Sequence, residues 1–155
     1  MNNTYMTGAE LQCLREACGL DRDQLGERCG VQGRSIKYWE MGASNHGVPA
    51  DVAALVLELE SAIQRDTANK IAHHAGAAGV VLVRTADPIK NEVASRVYLE
   101  LRRRGQNVRL VAFDYKAYRA QIDASGAQDS HLNRAEWAVR AVVQQSKPHR
   151  ADQPA

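Results

Sequence analysis

The first 63 residues are divided into four short helical segments, and this division constrains the fold more than any other feature of the chain. Thr7–Glu10 and Asp21–Gln24 have the pattern of capping boxes, in which side chains satisfy the free amides at a helix start. Three glycines follow helical stretches and predict helix ends (Gly19, Gly30, Gly42). The pattern predicts helices over 7–18, 21–29, 33–41 and 49–63. Helices this short are unstable alone, so they must pack against one another.

The turn between the second and third segments is typical of a helix-turn-helix. Gly30 can adopt the left-handed conformation that ends a helix, and Val31 fills the angle between the two helices. The third segment has an apolar inner side, with Ile36 and Trp39. Its outer side is polar (Gln32, Arg34, Lys37, Tyr38). A short helix with a polar outer face fits the DNA major groove, so these residues are candidates for contacts with bases.

The same residues resemble a known family. Three stretches are similar to the XRE superfamily of Cro and phage-repressor type regulators: Leu25–Val31, Arg34–Ile36 and Trp39–Gly42. A narrower resemblance is to the anti-CRISPR-associated autorepressors and their uncharacterised bacterial relatives, through Glu10–Gln12, Arg34–Ser35, Tyr38–Glu40 and Val48–Val52. Those proteins pair such a head with a C-terminal dimerisation domain. The resemblance therefore implies a dimeric DNA-binding protein.

The resemblance also implies roles for individual residues in DNA binding (Arg22, Gln32, Gly33, Arg34, Lys37, Tyr38). The start of the recognition helix, from Gln32 to Arg34, and Tyr38 one turn later are expected to face bases, while Arg22 is expected to meet phosphate. Arg34 is the best base reader, because its planar fork matches the two acceptors of guanine. Two positions depart from the family pattern: Gly33 replaces a polar side chain, and Gln32 replaces a Ser or Thr helix cap.

A structural brace is expected inside this head. The family resemblance places Arg15, on the first helix, opposite Glu40, near the end of the third, as a partly buried ion pair. Each residue also borders apolar positions, since Arg15 follows Leu14 and Glu40 follows Trp39, which we expect to pack in the core. Charges at the border of a core are tolerable when they are paired, and the arginine fork suits a carboxylate.

The charge distribution of residues 1–63 restricts how this head could bind DNA. The whole chain has a net charge of +2, but residues 1–63 contain five Lys or Arg against nine Asp or Glu. A head with this balance can bind DNA only if its positive charges gather on one face. Four of the five lie on the second and third helical segments (Arg22, Arg28, Arg34, Lys37).

Beyond residue 78 the pattern changes to strand, helix, strand, followed by two more helices. The β-branched run 80–83 and the run 108–113 predict strands, and Asp87-Pro88 predicts the start of a helix that ends near residue 104. Short links of this kind predict a parallel βαβ unit. Helices are predicted over 115–124 and 133–145.

The expected fold is therefore mostly α, with a four-helix helix-turn-helix domain followed by a small α/β domain. We divide the chain into a DNA-binding domain (1–63), a helical linker (64–78), an α/β dimerisation domain (79–146) and a flexible tail (147–155). Two apolar stripes of the second domain are candidates for the dimer contact: Val93, Val97 and Leu101, and Trp137, Ala141 and Val142.

Catalysis, metal binding and membrane insertion find no support in the residues. There is no Gly-rich loop, nucleophile elbow or paired base, so we expect neither an enzyme nor a cofactor. Cys13, Cys18 and Cys29 form no C-x-x-C pair, and His73 and His74 point about 100° apart on a helix, so no metal is expected. Without a long apolar run or a secretory leader, the expected location is the cytoplasm.

Three functions remain open at this stage. The first is a homodimeric transcriptional repressor that binds an inverted repeat in double-stranded DNA, because specificity at genome scale usually needs two half-sites. The second is an antitoxin, whose C-terminal domain binds a toxin partner. The third, an enzyme or small-molecule sensor on the βαβ unit, requires a pocket with convergent polar groups at the strand ends, which the sequence does not supply.

Overall fold

The computed structural model describes residues 5–42 and 47–148, which are mostly helical with one small parallel sheet. The elements in chain order are α1 (Gly8–Ala17), α2 (Arg22–Cys29), α3 (Gly33–Glu40), α4 (Ala50–His74), β1 (Val80–Arg84), α5 (Pro88–Arg103), β2 (Val108–Ala112), α6 (Tyr115–Ser125) and α7 (His131–Gln145). No described helix combines the length and the apolar character that a membrane crossing requires.

Both predicted capping boxes are present. The Thr7 hydroxyl accepts from the Glu10 amide at 3.1 Å, and the Glu10 carboxylate accepts from the Thr7 amide at 2.8 Å. Asp21 and Gln24 exchange the same two bonds at the start of α2. Local hydrogen bonds therefore fix where the first two helices begin.

α4 extends well beyond the predicted end of the first domain. It follows Pro49 and continues without interruption to His74, so residue 63 lies inside the helix. Its apolar stripe continues as well, since Ile63 is fully buried and Ile71 packs against the same core. The predicted loop at 43–48 lies largely outside the described residues. The division into two domains remains a prediction, and the structure joins the two parts with one continuous helix.

The predicted β–α–β unit is present, with its two strands parallel. β1 pairs with β2 in the register Val80↔Val108 through Arg84↔Ala112, and α5 connects them. Side chains alternate across the strands, so Val80 and Leu82 enter one hydrophobic core, whereas Val81 and Val83 contact another.

The two cores lie on opposite faces of the sheet. The first combines α1 to α5 with one face and is aliphatic at its centre (Leu11, Leu25, Ile36, Val56, Ile63, Val97, Leu101). The second is smaller, lies under α6 and α7, and is rich in aromatic side chains (Phe113, Tyr118, Trp137). The first core contains residues from both predicted domains, so the sheet and the first four helices are packed as one unit.

The stripes proposed as a dimer contact belong to these cores. Val97 and Leu101 are fully buried under α4 and the sheet, and Trp137 is 6% exposed in the second core. Their apolar spacing correctly predicts a buried helix face, but the residues that bury it belong to the same chain. The suggestion that they form the dimer contact is therefore wrong.

The end of α7 closes the outer edge of β2. The side-chain amide of Gln145 accepts from the Ala112 amide at 2.9 Å and donates to the Ala112 carbonyl at 2.8 Å. This pair of bonds replaces the missing neighbouring strand at Ala112, where a two-stranded sheet would otherwise leave backbone groups open. It also fixes the position of α7. Of the predicted tail, Lys147 and Pro148 are described, and the rest lies outside the described residues.

Candidate nucleic-acid interface

The turn that joins α2 to α3 has the conformation that the sequence predicts. Gly30 ends α2 with φ 71°, in the left-handed region. The Val31 amide then donates to the Gly26 carbonyl at 2.9 Å, and the Val31 side chain packs half-buried against the first core. Because Leu25 and Ile36 are fully buried on either side of this turn, the angle between the two helices is set by core packing.

Two glycines inside helices permit close backbone contacts that the sequence analysis did not predict. A Cβ atom on Gly26 would lie 2.6 Å from the Val31 carbonyl oxygen, and one on Gly8 would lie 2.3 Å from the Trp39 carbonyl oxygen. Both distances are shorter than van der Waals contact, so neither position has room for a side chain in this arrangement. A glycine within a helical stretch is a sequence signal for such a contact.

Gly33 is the one predicted DNA-binding residue that the structure places away from the surface. It is buried, and a Cβ there would lie 2.0 Å from a carboxylate oxygen of Asp23. The glycine therefore lets α2 and the start of α3 pack closely, and its assignment as a base-facing residue is wrong. Gln32, before it, makes no capping hydrogen bond from its side chain, as expected for that residue type.

Three of the other predicted contacts, Arg34, Lys37 and Tyr38, lie on one side of α3, and Gln32 precedes the helix as its N-cap. Gln32, Arg34 and Lys37 are exposed, and Tyr38 is 52% exposed. The opposite side of α3 is buried through Ile36, with Trp39 packed half-buried beside it. This face consists of hydrogen-bonding and cationic groups at about one-turn intervals on a helix that the core holds in place.

Arg15 and Glu40 contact each other directly. Arg15 Nε donates to Glu40 Oε1 at 2.5 Å, and Arg15 Nη2 donates to Glu40 Oε2 at 3.3 Å. A third donor, Arg15 Nη1, bonds to the Leu20 carbonyl at 2.8 Å. The Glu40 side chain is 1% exposed and that of Arg15 is 9% exposed, so the pair is buried.

Arg22, for which the family resemblance implies a phosphate contact alone, is a third member of this cluster. Its Nε donates to Glu40 Oε2 at 2.8 Å, while the side chain remains 39% exposed. Burial on its own would raise the pKa of the Glu40 carboxyl, but the hydrogen bonds from Arg15 and Arg22 outweigh burial and lower that pKa. One carboxylate on α3 thus holds an arginine from α1 and an arginine from α2.

We name Arg15, Glu40 and Arg22 the ion triad. It links the C-terminal end of α3 to both preceding helices, and Arg15 also bonds to the segment between them. Its effect on the exposed face of α3 is positional, because none of the three side chains belongs to that face. The sequence contained a signal for the contact between Arg22 and Glu40. A carboxylate at the border of a core can accept from more than one donor, and Arg22 is at the start of the helix that precedes α3.

Cysteine and histidine placement adds no metal site to this region. Across residues 5–42 and 47–148, no group of three or more His, Cys, Asp or Glu side chains is arranged to hold a metal ion. Cys18 is buried and Cys29 is half-buried, as small apolar residues are, whereas Cys13 is exposed on α1.

Comparison with known proteins adds no further assignment. No protein-family model matches the chain, and no curated protein matches it.

Proposed function

We propose that this protein is a sequence-specific regulator of transcription that binds double-stranded DNA, acting in the cytoplasm as a homodimeric repressor on an inverted repeat. The observation that carries the proposal is the exposed face of α3, with Arg34, Lys37 and Tyr38, together with the exposed Gln32 at the start of the helix. In this proposal α2, the turn and α3 form a helix-turn-helix, and the protein performs no catalytic step and needs no cofactor.

The dimensions and chemistry of that face suit the major groove. α3 has eight residues and is about 12 Å long, close to the width of the groove, so its whole outer face can enter. Arg34 can donate two hydrogen bonds to guanine, and Gln32 can exchange two with adenine. Lys37 supplies a charge for phosphate, and the Tyr38 hydroxyl can bond to either a base or the backbone.

Arg22 supports the proposal in spite of its contact with Glu40. Only its Nε is directed at that carboxylate, and within the described residues Arg22 has no other ion-pair partner. Arg22 is the first residue of α2, and the amides at a helix start also favour an anion. Because the Asp21 carboxylate already accepts from the Gln24 amide at this helix end, a phosphate here would be held chiefly by the arginine.

The direct test is binding to the DNA upstream of the protein's own gene and to a pool of random duplexes. If about six phosphates are neutralised per dimer, the logarithm of the affinity falls with the logarithm of salt concentration at a slope near about −5. A gel shift at low salt that shows no complex with either DNA would contradict the proposal.

Specificity is tested by Arg34→Ala and Tyr38→Ala. Arg34→Ala removes a two-bond guanine contact and should cost about 1–3 kcal/mol of binding free energy per half-site. Both variants should lose the preference for the selected sequence over random duplex. Arg65→Ala is the matched control, because Arg65 is an exposed arginine on α4, 60% accessible and distant in sequence from α3. If the affinity for the selected sequence is unchanged in both α3 variants, the base-reading assignment is wrong.

A further inference from the structure

The outer side of α7 carries a line of exposed apolar side chains. Leu132, Val139 and Val143 are 69%, 59% and 67% exposed. With about 100° of rotation per residue, the three fall within about 40° of one another around the helix axis, in a line about 17 Å long. We name these three residues the α7 stripe. Isolated apolar residues are ordinary on a surface, but an aligned set on one helix is typical of a contact surface.

This stripe is distinct from the side of α7 that packs inside the chain. Trp137, Ala138 and Ala141 are buried in the second core and lie on the opposite side of the helix. α7 is held in place by that core and by the bonds from Gln145 to Ala112. The stripe is therefore presented to solvent on a fixed helix.

The charges beside the stripe indicate what covers it. Glu136 and Arg140 are both exposed and lie on the same flank of the stripe, one turn apart. Neither has an ion-pair partner in the part of the chain that the structure describes. The other flank has no charged residue, since Ala135, Val142 and Ser146 lie there. One flank of the α7 stripe therefore carries one acidic and one basic side chain, and the other flank is uncharged.

We infer that the α7 stripe is the contact between two copies of this chain, with the two α7 helices antiparallel. In an antiparallel pair each flank faces the same flank of the partner, whereas in a parallel pair it faces the opposite one. Only the antiparallel arrangement brings Glu136 next to the partner's Arg140, and Arg140 next to the partner's Glu136. A two-fold axis near residue 138 also puts Leu132 against the partner's Val143 and Val139 against the partner's Val139, so the surface is complementary to itself.

The inference deepens the proposed function by naming the surface that joins the two DNA-binding heads of the dimer. It rests on the proposed function only for the role that it gives to this dimer. Self-association is measured without DNA, by sedimentation or light scattering of the full chain between about 1 and 200 µM, a range chosen because two helices bury less than a standard interface. We expect dimers that dissociate within this range. A wild-type chain that stays monomeric over this whole concentration range would overturn the inference. The stripe would then have to contact a different protein, such as the toxin that an antitoxin binds.

Val139→Asp is the first variant, because it places a carboxylate beside its own copy at the two-fold axis. It should weaken the dimer by at least about 100-fold. Leu99→Asp is the matched control: Leu99 is 63% exposed, but it lies on α5, which packs against the other face of the sheet. A Leu99→Asp variant as strongly dissociated as Val139→Asp, or a Val139→Asp variant that remains dimeric, would overturn the inference.

Charge exchange tests the antiparallel orientation without inserting a charge into the apolar line. Glu136→Arg and Arg140→Glu should each weaken self-association by about 10-fold or more, since each creates two like-charge contacts. Mixing the two variants should restore dimers containing one chain of each, and the double variant should restore the homodimer. Failure of the mixture to associate would overturn the antiparallel contact.

The two proposals fail in different ways. A wild-type dimer that binds no DNA would contradict the proposed function and leave the α7 contact in place. A protein that binds its selected DNA, and whose dimer survives Val139→Asp, would contradict the α7 contact alone.

Discussion

Each hydrophobic core of this protein has an arginine–carboxylate contact at its border, and the two contacts differ in burial and in the length of chain that they join. In the first core, Glu40 is 1% exposed and binds Arg15, 25 residues away, as well as Arg22. In the second, Asp129 is 39% exposed and binds Arg134, five residues away, at 2.8 Å through both oxygens.

The surroundings of the two contacts differ as well. Arg134 lies over the rings of Phe113 and Tyr118, at 5.4 and 5.6 Å from their centroids, and the Tyr118 hydroxyl donates to Asp129 at 2.7 Å. That network therefore fastens a local turn between α6 and α7 to an aromatic core. The ion triad instead joins three helices around an aliphatic core. The same chemistry thus serves a local connection in one region and a tertiary one in the other, and its energetic weight should follow burial.

The largest expected effect tests whether the two cores unfold together. Trp137→Ala should destabilise the protein by about 3–5 kcal/mol, because it removes the largest side chain of the second core. The chain has two tryptophans, so the fluorescence of this variant reports Trp39 in the first core alone. Since both cores share one sheet, we expect the Trp39 signal to change at the same lowered midpoint as the circular dichroism.

The control for this variant is Val139→Ala, two residues along on the exposed side of α7. It should change stability by under about 0.5 kcal/mol when measured at a concentration at which the chain is monomeric. A Trp39 transition that keeps the wild-type midpoint in Trp137→Ala would show instead that the first core folds independently of the second.

The second effect concerns the ion triad. Glu40→Gln leaves the buried Arg15 and the partly exposed Arg22 without their charge partner and should cost about 3 kcal/mol. A double-mutant cycle with Arg15→Met, read by thermal melts, should give a clearly non-zero coupling energy. DNA affinity should fall in both single variants, because α3 loses its anchor although neither residue lies on its exposed face. A coupling energy equal to zero would eliminate the brace.

The third effect is a dependence of stability on pH. The pKa of Glu40 is lowered from its ordinary value of 4.5 by its arginine partners, against the effect of burial. A carboxyl with a lowered pKa in the folded state contributes stability above its unfolded pKa and loses it as the pH falls through the folded pKa. The unfolding free energy of the wild type should therefore decrease below about pH 4.5, and more steeply than that of Glu40→Gln. Parallel curves for the two proteins would contradict this assignment.

The smallest effect is expected from Asp129→Asn in the second core. Hydrogen bonds from Arg134 and Tyr118 lower the pKa of Asp129, but both members of the ion pair are well exposed to solvent. Water screens such a pair, so the decrease in melting temperature should be clearly smaller than that of Glu40→Gln. A decrease as large as that of Glu40→Gln would show that burial does not distinguish the two contacts.

Local features of the sequence were sufficient for the secondary structure and for the exposed face of α3. The capping boxes, the left-handed Gly30 and the alternation of apolar and polar positions act within one helix or turn, so short-range patterns determine them. Arg34, Lys37 and Tyr38 were assigned to the outer face by the same periodicity that buried Ile36. The contact between Arg15 and Glu40 was anticipated through a family resemblance as well as through their neighbours.

Tertiary structure alone decided which surfaces meet. Gly33 has the sequence context of a base reader, yet it is buried, and a side chain there would meet the Asp23 carboxylate. The sequence assigns Arg22 to phosphate alone, and only the fold reveals that its Nε also lies 2.8 Å from Glu40. An apolar stripe indicates that one side of a helix is buried, but it does not indicate whether the same chain or a second copy buries it. The stripe containing Trp137 is internal, whereas the apolar side chains on the other side of α7 are exposed.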